Sequence, residues 1–529
     1  MSSAAEAAHA GRVRSTSGVA AYRWATGLLA AVVFLACMSW ALVSAPFSGP
    51  DERAHYNSVT RIMSGGGWPL PYEAQMESWT VTAVTEAGWG YRGQRDESPP
   101  LPTARSTIFA GGNWENLGKD QMVQHPPLYY GVVAAAASMI GDHETQWDAA
   151  QLMMRISSAA MLAGAIPFLV SVGRHVSGSP RAGVIGGTSV LLMPFFTNIG
   201  GFINNDPMLV LTCSAAICFA VRALYREEKA RTSLALAGVA LGLALLTKGL
   251  ALLLVPVVAV FAAMVAWRWR SWPTRIWVFL LPLVIAFAVG GWWWLRNLLL
   301  LGRIQPSTLG DRERSAIAHE GYDLGDFIIG AIVRFNRTLW GRGARDDIAL
   351  PTHIVDVAGL VLVGLVLVAV IVGSERRVLA LLWTFPVLIV AVIFVNAHGI
   401  YWDLGSPDRG IQGRYVYAGI AAFCATFASL AVIVTKRLRA AIRRILASIF
   451  CAFAVVATAS ALGWVLERSW GADRAAALAS IATSHGVALT LPISVMGVGL
   501  AASAALVTLF LLPWPVRTGP GRTTTRVTN

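Results

Sequence analysis

The stretch WATGLLAAVVFLACMSWALVSA, residues 24–45, is an apolar run of the length that crosses a lipid bilayer. Its end, Val43-Ser44-Ala45, resembles the small-residue cleavage site of a signal peptide. The apolar part of a signal peptide is usually only about 7–15 residues long, so the run instead predicts a membrane-spanning helix. Three arginines precede it, which places residues 1–23, predicted to be disordered, in the cytoplasm.

The rest of the chain repeats this pattern. Of its 529 residues, 55% are hydrophobic and 13% are charged, and the mean hydropathy of +0.58 lies outside the range of ordinary soluble proteins. Further apolar runs of about spanning length occur at residues 152–173, 182–197, 207–223, 233–247, 249–266, 276–295, 355–373, 378–397, 414–435, 445–466 and 486–513. The sequence therefore predicts an all-α polytopic membrane protein with about twelve transmembrane helices.

The charged residues and the cysteines exclude several other classes of protein. The formal net charge of +13 is distributed in short basic clusters between the apolar runs. No separate polar domain concentrates this charge, so a nucleic-acid partner is not expected. The five cysteines all lie inside apolar runs and form no CxxC pair, so neither a disulfide framework nor a zinc site is expected.

The basic clusters fall in alternate connections, which orients the helices by the positive-inside rule. This orientation places both termini in the cytoplasm and the two long loops, residues 48–151 and 297–353, on the outer side of the cell membrane. Residues 128–140 are apolar but short for a span, and a full crossing there would turn every later basic cluster outward, so we expect an interfacial or re-entrant segment. Residues 24–513 then form one membrane domain, followed by a disordered cytoplasmic tail at 514–529.

The stretch GPDERAH, residues 49–55, follows the first apolar run at its outer end. Of Asp51 and Glu52, one could act as a general base while the other holds a metal, or one could be catalytic while its neighbour is only solvated. Pro50 followed by two acids is equally typical of the first turn of a helix, because carboxylates offset the positive end of the helix dipole. The pattern leaves both interpretations open.

Two further outer stretches contain polar residues. QHPPLYY, residues 124–130, closes the first long loop. Here Tyr129 is expected to anchor the chain in the aromatic belt of the membrane, and His125 could contact an anionic headgroup. Before the fourth apolar run, Asn205 and Asp206 are suited to cap the following helix, and capping alone explains them.

Three cations lie near outer helix ends, against the positive-inside trend. Lys248 is at the tip of a helical hairpin, Arg296 follows WWWL, and Arg414 follows Gln412 in QGRYVYAG. Lys248 could extend to water or hold a phosphate. Guanidinium groups at an outer interface suit a lipid-linked phosphate or pyrophosphate, because their planar fork matches phosphoryl oxygens.

Six stretches in this order resemble the motifs of the GT-C superfamily of membrane glycosyltransferases, in particular its DUF2142 branch. They are GPDERAH, HPPLYY, INNDPMLV, LGLALLTKGLALLLVP, WWWLRNLLLLGRIQP and QGRYVYAG. Related groups are the dolichyl-phosphate-mannose protein mannosyltransferases and the aminoarabinose transferases. The matching stretches run from about Pro50 to Tyr417, which is most of the chain.

The resemblance implies an inverting glycosyltransferase that moves a sugar from a polyprenyl-phosphate donor to an extracytoplasmic acceptor, which could be a cell-wall glycan, a lipid or a protein. It implies Asp51 as the general base, with Glu52 beside it in the catalytic site. The residues implied to hold the donor phosphate are Lys248, Arg296, Arg414 and His125. The residues expected to support the site are His55, Tyr129, Asn205, Asp206 and Gln412. A divalent metal is left open, with Asp51, Glu52 and His55 as its ligands if one binds.

Two other functions fit the same residues. A transporter or flippase of lipid-linked saccharides also needs outer cations and many helices, although transporters commonly show an internal repeat and none is found here. A non-catalytic membrane scaffold that binds a lipid phosphate would use Asp51 only as a helix start. The sequence leaves the sugar, the acceptor and the oligomeric state open.

Overall fold

The computed structural model describes residues 2–71, 73–89, 118–139, 146–306, 317–341 and 350–513. These residues form helices joined by connections, with an isolated β-bridge between Gln75 and Lys119. The α-helices are α1 (Ser2–Val43), α2 (Glu52–Met63), α3 (Ser78–Glu86), α4 (Leu128–Ser138), α5 (Trp147–Ser177), α6 (Pro180–Thr188), α7 (Pro194–Gly200), α8 (Asp206–Tyr225), α9 (Ala230–Leu245), α10 (Val255–Ala266), α11 (Trp272–Ala286), α12 (Trp292–Leu301), α13 (Leu324–Leu339), α14 (Thr352–Val372), α15 (Arg376–Leu404), α16 (Ile420–Thr435), α17 (Ala440–Trp470), α18 (Arg474–Ser484) and α19 (Thr490–Leu511).

The prediction of an all-α polytopic membrane protein is confirmed. Each of the predicted apolar runs coincides with helical structure, and in the described residues ten helical stretches are long and apolar enough to cross a membrane. The run at 182–197 is a pair of helical segments bent by 80°, which would make an eleventh span. The run at 233–247 is α9, whose 16 residues are short for a bilayer.

The bend in the 182–197 run has a local cause. Pro194 is the first residue of α7 and supplies no backbone N–H, so the preceding helix cannot continue through it. Met193, the residue before this proline, has φ −108° and ψ 88°, which is outside the helical region. The chain therefore turns sharply inside an apolar run that hydropathy alone reads as one straight segment.

The sequence predictions for the two ends of the chain and for the short segment at 128–140 have different outcomes. α1 begins at Ser2, so the helix extends back through residues that were predicted to be disordered, and its apolar part is Ala20–Val43. α4 has 11 residues, too few for a straight span, as the short apolar segment predicted. The predicted tail at 514–529 lies outside the described residues.

Four helices form the centre of the bundle. In α8, 72% of the spanning window is buried inside the protein, and α1, α5 and the helical stretch ending with α16 are each more than half buried. By contrast, α14 and α19 bury only 11% and 17% of their windows and present their apolar side chains outward. Small residues allow the central helices to approach closely, as where Gly186 of α6 lies against the carbonyl group of Cys424 on α16.

Candidate active site

The connection between α1 and α2 holds Asp51 in an uncommon backbone conformation. Its φ is 57° and that of Phe47 is 58°, and these are the two non-glycine residues with positive φ in the described ranges. Aspartate tolerates this left-handed region better than most residues do. α2 begins at Glu52, as the proline and the acids predicted, but the Asp51 side chain makes no capping hydrogen bond. Its carboxylate is therefore available for other contacts.

The Asp51 carboxylate lies between a polar side chain and a cation. Oδ1 accepts a hydrogen bond from Gln121 Nε2 at 3.3 Å, and Oδ2 lies 3.4 Å from Arg414 Nη2. The Asp51 side chain is 46% exposed, whereas that of Arg414 is 3% exposed. A solvent-facing carboxylate beside a buried guanidinium can receive a proton from an incoming molecule, which is what a general base must do.

Two more charged side chains extend this pair. Lys248 Nζ donates to Asp206 Oδ1 at 2.6 Å and to Asn205 Oδ1 at 3.2 Å, and Asp206 Oδ2 lies 3.7 Å from Arg414 Nε. Acids and cations thus alternate in the order Asp51, Arg414, Asp206 and Lys248, and we name these four side chains the charge cluster. They come from four separate stretches of the sequence.

Arg414 lies in a 3-10 turn at residues 413–419, where Gly413 N donates to Thr338 Oγ1 near the end of α13 at 2.8 Å. The guanidinium carbon of Arg414 is 5.4 Å from the centre of the Tyr415 ring, and Lys248 Nζ is 4.7 Å from the same ring. Within the described part of the chain, Arg414 Nε and Nη1 are buried without a hydrogen-bond acceptor. Because buried N–H groups are normally paired, these two atoms suit a ligand with acceptor oxygens.

The capping interpretation of Asn205 and Asp206 is incomplete. α8 begins at Asp206, but the capping oxygen is Oδ1 of Asn204, which accepts from Asp206 N at 2.8 Å. The side chains of Asn205 and Asp206 accept from Lys248 instead. Since Lys248 is 8% exposed, it pairs inside the protein rather than extending to water.

Glu52, predicted to share the catalytic site with Asp51, is fully buried. Arg155 Nε and Nη2 donate to its two oxygens at 2.7 and 2.8 Å. The backbone N–H groups of Gly49 and Ile203 also donate to it, at 3.1 and 3.2 Å. These four contacts occupy the carboxylate, so Glu52 has no open face toward a substrate and instead ties α2 to α5 and to the segment before α8.

Arg155 is the main structural residue that the sequence reasoning missed. Besides Glu52, it donates to the carbonyl oxygens of Ala41 and Ser44 through Nη1, at 2.6 and 2.9 Å, and to that of Ala45 through Nη2, at 2.8 Å. All five N–H bonds of the guanidinium are thus used, and three of them satisfy carbonyl groups at the end of α1. The available signal was a single charge inside the apolar run LMMRISSAA, which marks a special position in a membrane helix.

Asp120 anchors the first long loop beside the charge cluster and was also missed. Its Oδ2 accepts from Asn57 Nδ2 and Ser58 Oγ, both at 2.8 Å, and from Arg61 Nη1 at 2.7 Å. Asp120 is itself fully buried, so these donors fix its position relative to α2. The contact holds the next residue, Gln121, where it can donate to Asp51, the residue before α2.

His55 and Tyr129 lie in a buried aromatic group. The His55 ring stacks on that of Tyr130 with a centroid separation of 5.8 Å, and its Nδ1 is 3.0 Å from the Tyr130 hydroxyl. The Tyr129 hydroxyl is 2.8 Å from Ser158 Oγ, and both tyrosines are fully buried. Tyr129 therefore belongs to the core rather than to an interfacial aromatic belt, because Ser158 pairs with its hydroxyl inside the protein.

His125 is half-buried at the end of the 3-10 turn Gln121–Gln124. Burial, together with the nearby positive charge of Lys248, lowers the pKa of its imidazole from 6.5 to about 3. Its Nδ1 is buried and has no hydrogen-bond partner among the described residues. A neutral imidazole cannot hold a phosphate by charge, so any contribution of His125 to such a ligand is a hydrogen bond.

We expect acidification to destabilise the protein through His55. Burial lowers the pKa of His55 from 6.5 to about 3, with Lys248 and Arg414 adding to the shift and Asp206 opposing it. Between those two values the unfolded chain binds a proton that the folded chain does not, so stability falls as the pH decreases below about 6.5. Between about pH 7.5 and pH 5, the melting temperature of His55→Gln should fall less than that of the wild type. Equal losses would show that other groups control the acid response.

Asp51, Glu52 and His55, the residues named above as ligands if a metal binds, do not converge on one point. Both Glu52 oxygens accept from Arg155, and His55 Nδ1 faces the Tyr130 hydroxyl. Among the residues that the structure describes, no group of three or more His, Cys, Asp and Glu side chains could hold a metal ion. This set therefore does not fit a metal, and we derive no step through one.

Arg296 and Gln412 have surroundings of their own. On α12, the Arg296 guanidinium carbon is 4.8 Å from the Trp293 ring centre, and Nη1 donates to Asn297 Oδ1 at 3.1 Å. Gln412 directly precedes the turn with Arg414, and its carbonyl oxygen accepts from Tyr415 N at 3.4 Å. The structure thus brings Asp51, Asn205, Asp206, Lys248 and Arg414 together and gives Arg296 different neighbours.

The model of the family described as predicted membrane protein (DUF2142) matches residues 34–424, well over half of the chain. No curated protein matches the sequence. Among solved structures, ArnT from Cupriavidus metallidurans bound to undecaprenyl phosphate is similar with a TM-score of 0.45 and 16% identity, over 91% of this chain and 76% of ArnT. The oligosaccharyltransferase AglB from Archaeoglobus fulgidus, in complex with an inhibitory peptide and a dolichol-phosphate, gives a TM-score of 0.40 and 14% identity, over 83% of this chain and 56% of AglB.

Proposed function

The chain belongs to the DUF2142 family of predicted membrane proteins, and from that premise we propose that it is a membrane glycosyltransferase that uses a polyprenyl-phosphate sugar. In this proposal Arg414 and Lys248 hold the phosphate of the donor, and Asp51 is the general base. The charge cluster lies where α1 ends and α8 begins, which the positive-inside rule assigns to the extracytoplasmic side. The acceptor is a hydroxyl-bearing glycan, lipid or protein on that side.

The observation on which the proposal depends is the state of Arg414. Its side chain is 3% exposed, and in the described residues its Nε and Nη1 have no acceptor within hydrogen-bonding distance. A purely structural arginine would resemble Arg155, whose five N–H bonds all reach oxygen atoms. A phosphate supplies several strong acceptor oxygens and a negative charge, so it would satisfy the Arg414 donors that the protein leaves unpaired.

The chemical step needs little beyond this arrangement. The acceptor hydroxyl oxygen forms a bond to the anomeric carbon of the sugar, while the bond from that carbon to the phosphate oxygen breaks. The electron pair of the broken bond leaves with the polyprenyl phosphate, where Arg414 and Lys248 offset the charge. The Asp51 carboxylate takes the hydroxyl proton, for which its 46% exposure provides access. A single displacement of this kind inverts the anomeric configuration.

The two acids of the GPDERAH stretch, Asp51 and Glu52, differ in their contacts. Both oxygens of Glu52 accept hydrogen bonds from Arg155 and from two backbone N–H groups, so Glu52 stabilises the α1–α2 connection. Asp51 has contacts with Gln121 and Arg414 that are longer, at 3.3 and 3.4 Å. Such loose contacts can yield to a substrate hydroxyl and phosphate when they arrive. The proposal accordingly assigns proton transfer to Asp51 alone.

Substitution of Arg414 by glutamine is expected to weaken binding of undecaprenyl phosphate. This lipid is the ligand in the solved ArnT structure and serves here as the probe. Losing a guanidinium that donates to phosphate should reduce the affinity by about 10- to 100-fold, which corresponds to ~1.5–3 kcal/mol. Isothermal titration of the purified protein in nanodiscs would measure the change.

Arg409 provides the matched control for this titration. It is an exposed arginine in the same connection, five residues before Arg414. Arg409→Gln should bind the lipid as the wild type does, because surface charges contribute little to a specific phosphate site. If Arg414→Gln is folded, with an unchanged melting temperature, and retains wild-type affinity, Arg414 does not hold the donor phosphate.

A further inference from the structure

A small cleft separate from the charge cluster lies between the first long loop and α12. Its walls include Trp68 and Val123 from the loop, Trp293 and Arg296 from α12, and Pro306 after that helix. Its volume is about 10 Å³, which is room for about one water-sized atom. The cleft can therefore take a single oxygen atom of a larger molecule rather than a whole ligand.

The polar side-chain groups of this cleft are hydrogen-bond donors without enough acceptors. The indole N–H groups of Trp68 and Trp293 are buried and have no partner in the described part of the chain. Asn297 also lines the cleft, but its Oδ1 already accepts from Arg296 and its Nδ2 donates to the Ile304 carbonyl oxygen at 3.3 Å. Indole can only donate and guanidinium can only donate, so the cleft lacks side-chain acceptors for a ligand's own donors.

The excess of hydrogen-bond donors in the cleft determines which chemical group can bind there. A neutral sugar hydroxyl needs acceptors as well as donors to be bound specifically, whereas a phosphoryl or carboxylate group presents acceptor oxygens alone. The positive charge of Arg296 favours an anion, and its planar fork matches either group. The two unpaired indole N–H groups would then gain the acceptors that buried donors normally have.

The cleft is connected to α2 by packed aromatic rings. The Trp68 ring centre is 4.7 Å from that of Tyr130, and the Tyr130 hydroxyl is 3.0 Å from His55 Nδ1 on α2. Trp68 follows Gly67, whose φ of 63° lets the chain turn at that point. A molecule in the cleft thus lies against the aromatic group of Tyr130 and His55, which packs beside the start of α2.

From these observations we propose that the cleft binds one oxygen atom of an anionic group, phosphoryl or carboxylate, of the acceptor substrate, with Arg296 beside that group. The inference rests on the proposed function, in which the donor phosphate occupies the charge cluster, and it assigns Arg296 to the acceptor instead of the donor. Trp68, Trp293 and Arg296 supply the hydrogen-bond donors to that group. An acceptor held at an acidic group would be oriented with its hydroxyl free for transfer, and neutral glycans would bind less well because they do not offset the charge of the half-exposed Arg296.

The test uses the purified full-length protein in phosphatidylcholine nanodiscs that are saturated with undecaprenyl phosphate, followed by titration with inorganic phosphate. One further phosphate should bind. Arg296→Gln should weaken that second event about tenfold, and Trp293→Phe, which keeps an aromatic ring but removes the indole N–H, should weaken it several-fold. Arg409→Gln should have no effect. A second arm replaces part of the phosphatidylcholine with phosphatidylglycerol: competition with inorganic phosphate assigns the group to a lipid acceptor, and its absence assigns it to a water-soluble one.

Three results would overturn the proposal. The first is that no phosphate binds once undecaprenyl phosphate is present. The second is that Arg296→Gln and Trp293→Phe, with wild-type melting temperatures, bind inorganic phosphate as the wild type does. The third is that Arg296→Gln weakens undecaprenyl phosphate itself, which would make the cleft part of the donor site. A different result would contradict the assignment of Arg414 to the donor phosphate: an unchanged affinity of Arg414→Gln for undecaprenyl phosphate.

Discussion

Substitution of Arg155 by methionine is expected to lower the free energy of unfolding by about 3–5 kcal/mol, the usual effect of removing one partner of a buried ion pair. Both Arg155 and Glu52 have fully buried side chains. Without the guanidinium, the Glu52 carboxylate stays buried beside only two backbone N–H groups, and three carbonyl groups at the end of α1 lose their donor. Unfolding of the purified protein by sodium dodecyl sulfate, followed by circular dichroism, would measure the loss.

Two further variants separate the ion pair from general effects of substitution. Arg174→Met lies on the same helix, α5, where Arg174 is half-exposed above the Tyr22 ring, and it should change the stability by no more than about 1 kcal/mol. Adding Glu52→Gln to Arg155→Met should recover part of the loss, because no unpaired charge then remains inside. A loss below about 1 kcal/mol in Arg155→Met alone would contradict the structural role given to this pair.

Asp51→Asn is expected to lower the rate constant of sugar transfer by about 10²- to 10⁴-fold, the range for removal of a general base. Asparagine has nearly the same shape and its single oxygen can still accept from Arg414, so donor affinity should stay within a few-fold of the wild type. The base is lost because a neutral amide does not take the hydroxyl proton. Release of polyprenyl phosphate from a donor lipid, followed by mass spectrometry under single-turnover conditions, would give the rate.

The control for Asp51→Asn is Asp408→Asn. Asp408 is an exposed acid in the connection that leads to Arg414, so it tests for a general effect of charge at this end of the bundle. It should transfer sugar at the wild-type rate. If Asp51→Asn also transferred at that rate, Asp51 would be no more than the residue at which α2 begins.

Much of the charge cluster could be predicted from the sequence because topology constrains it. Once alternate connections are assigned to one side, the ends of α1 and α9 and the start of α8 must lie on a common face. This reasoning placed Asp51, Lys248 and Arg414 at outer helix ends, and the family resemblance added Asp206 as a supporting residue. The structure places the four side chains in contact.

The separate roles of the acids and cations around the cluster could not be predicted, because they depend on which side chains each one contacts. Asp51 and Glu52 are neighbours in sequence, yet only Glu52 meets Arg155, a cation hidden in an apolar run 103 positions later. Asn205 and Asp206 also looked like helix caps, since no local pattern shows that Lys248 approaches them. Arg296 resembled Arg414 as an outer cation, and only packing against Trp293 showed that it faces a different cleft.

The most direct test of the proposed transfer follows a labelled sugar on polyprenyl phosphate in proteoliposomes that contain the purified protein and an acceptor-rich membrane extract. Wild-type protein should release polyprenyl phosphate in an amount equal to the sugar that appears on the acceptor, and Asp51→Asn should release almost none. If the sugar instead crosses the bilayer while still attached to its lipid, at equal rates in both proteins, the protein is a flippase and the glycosyltransferase account is contradicted.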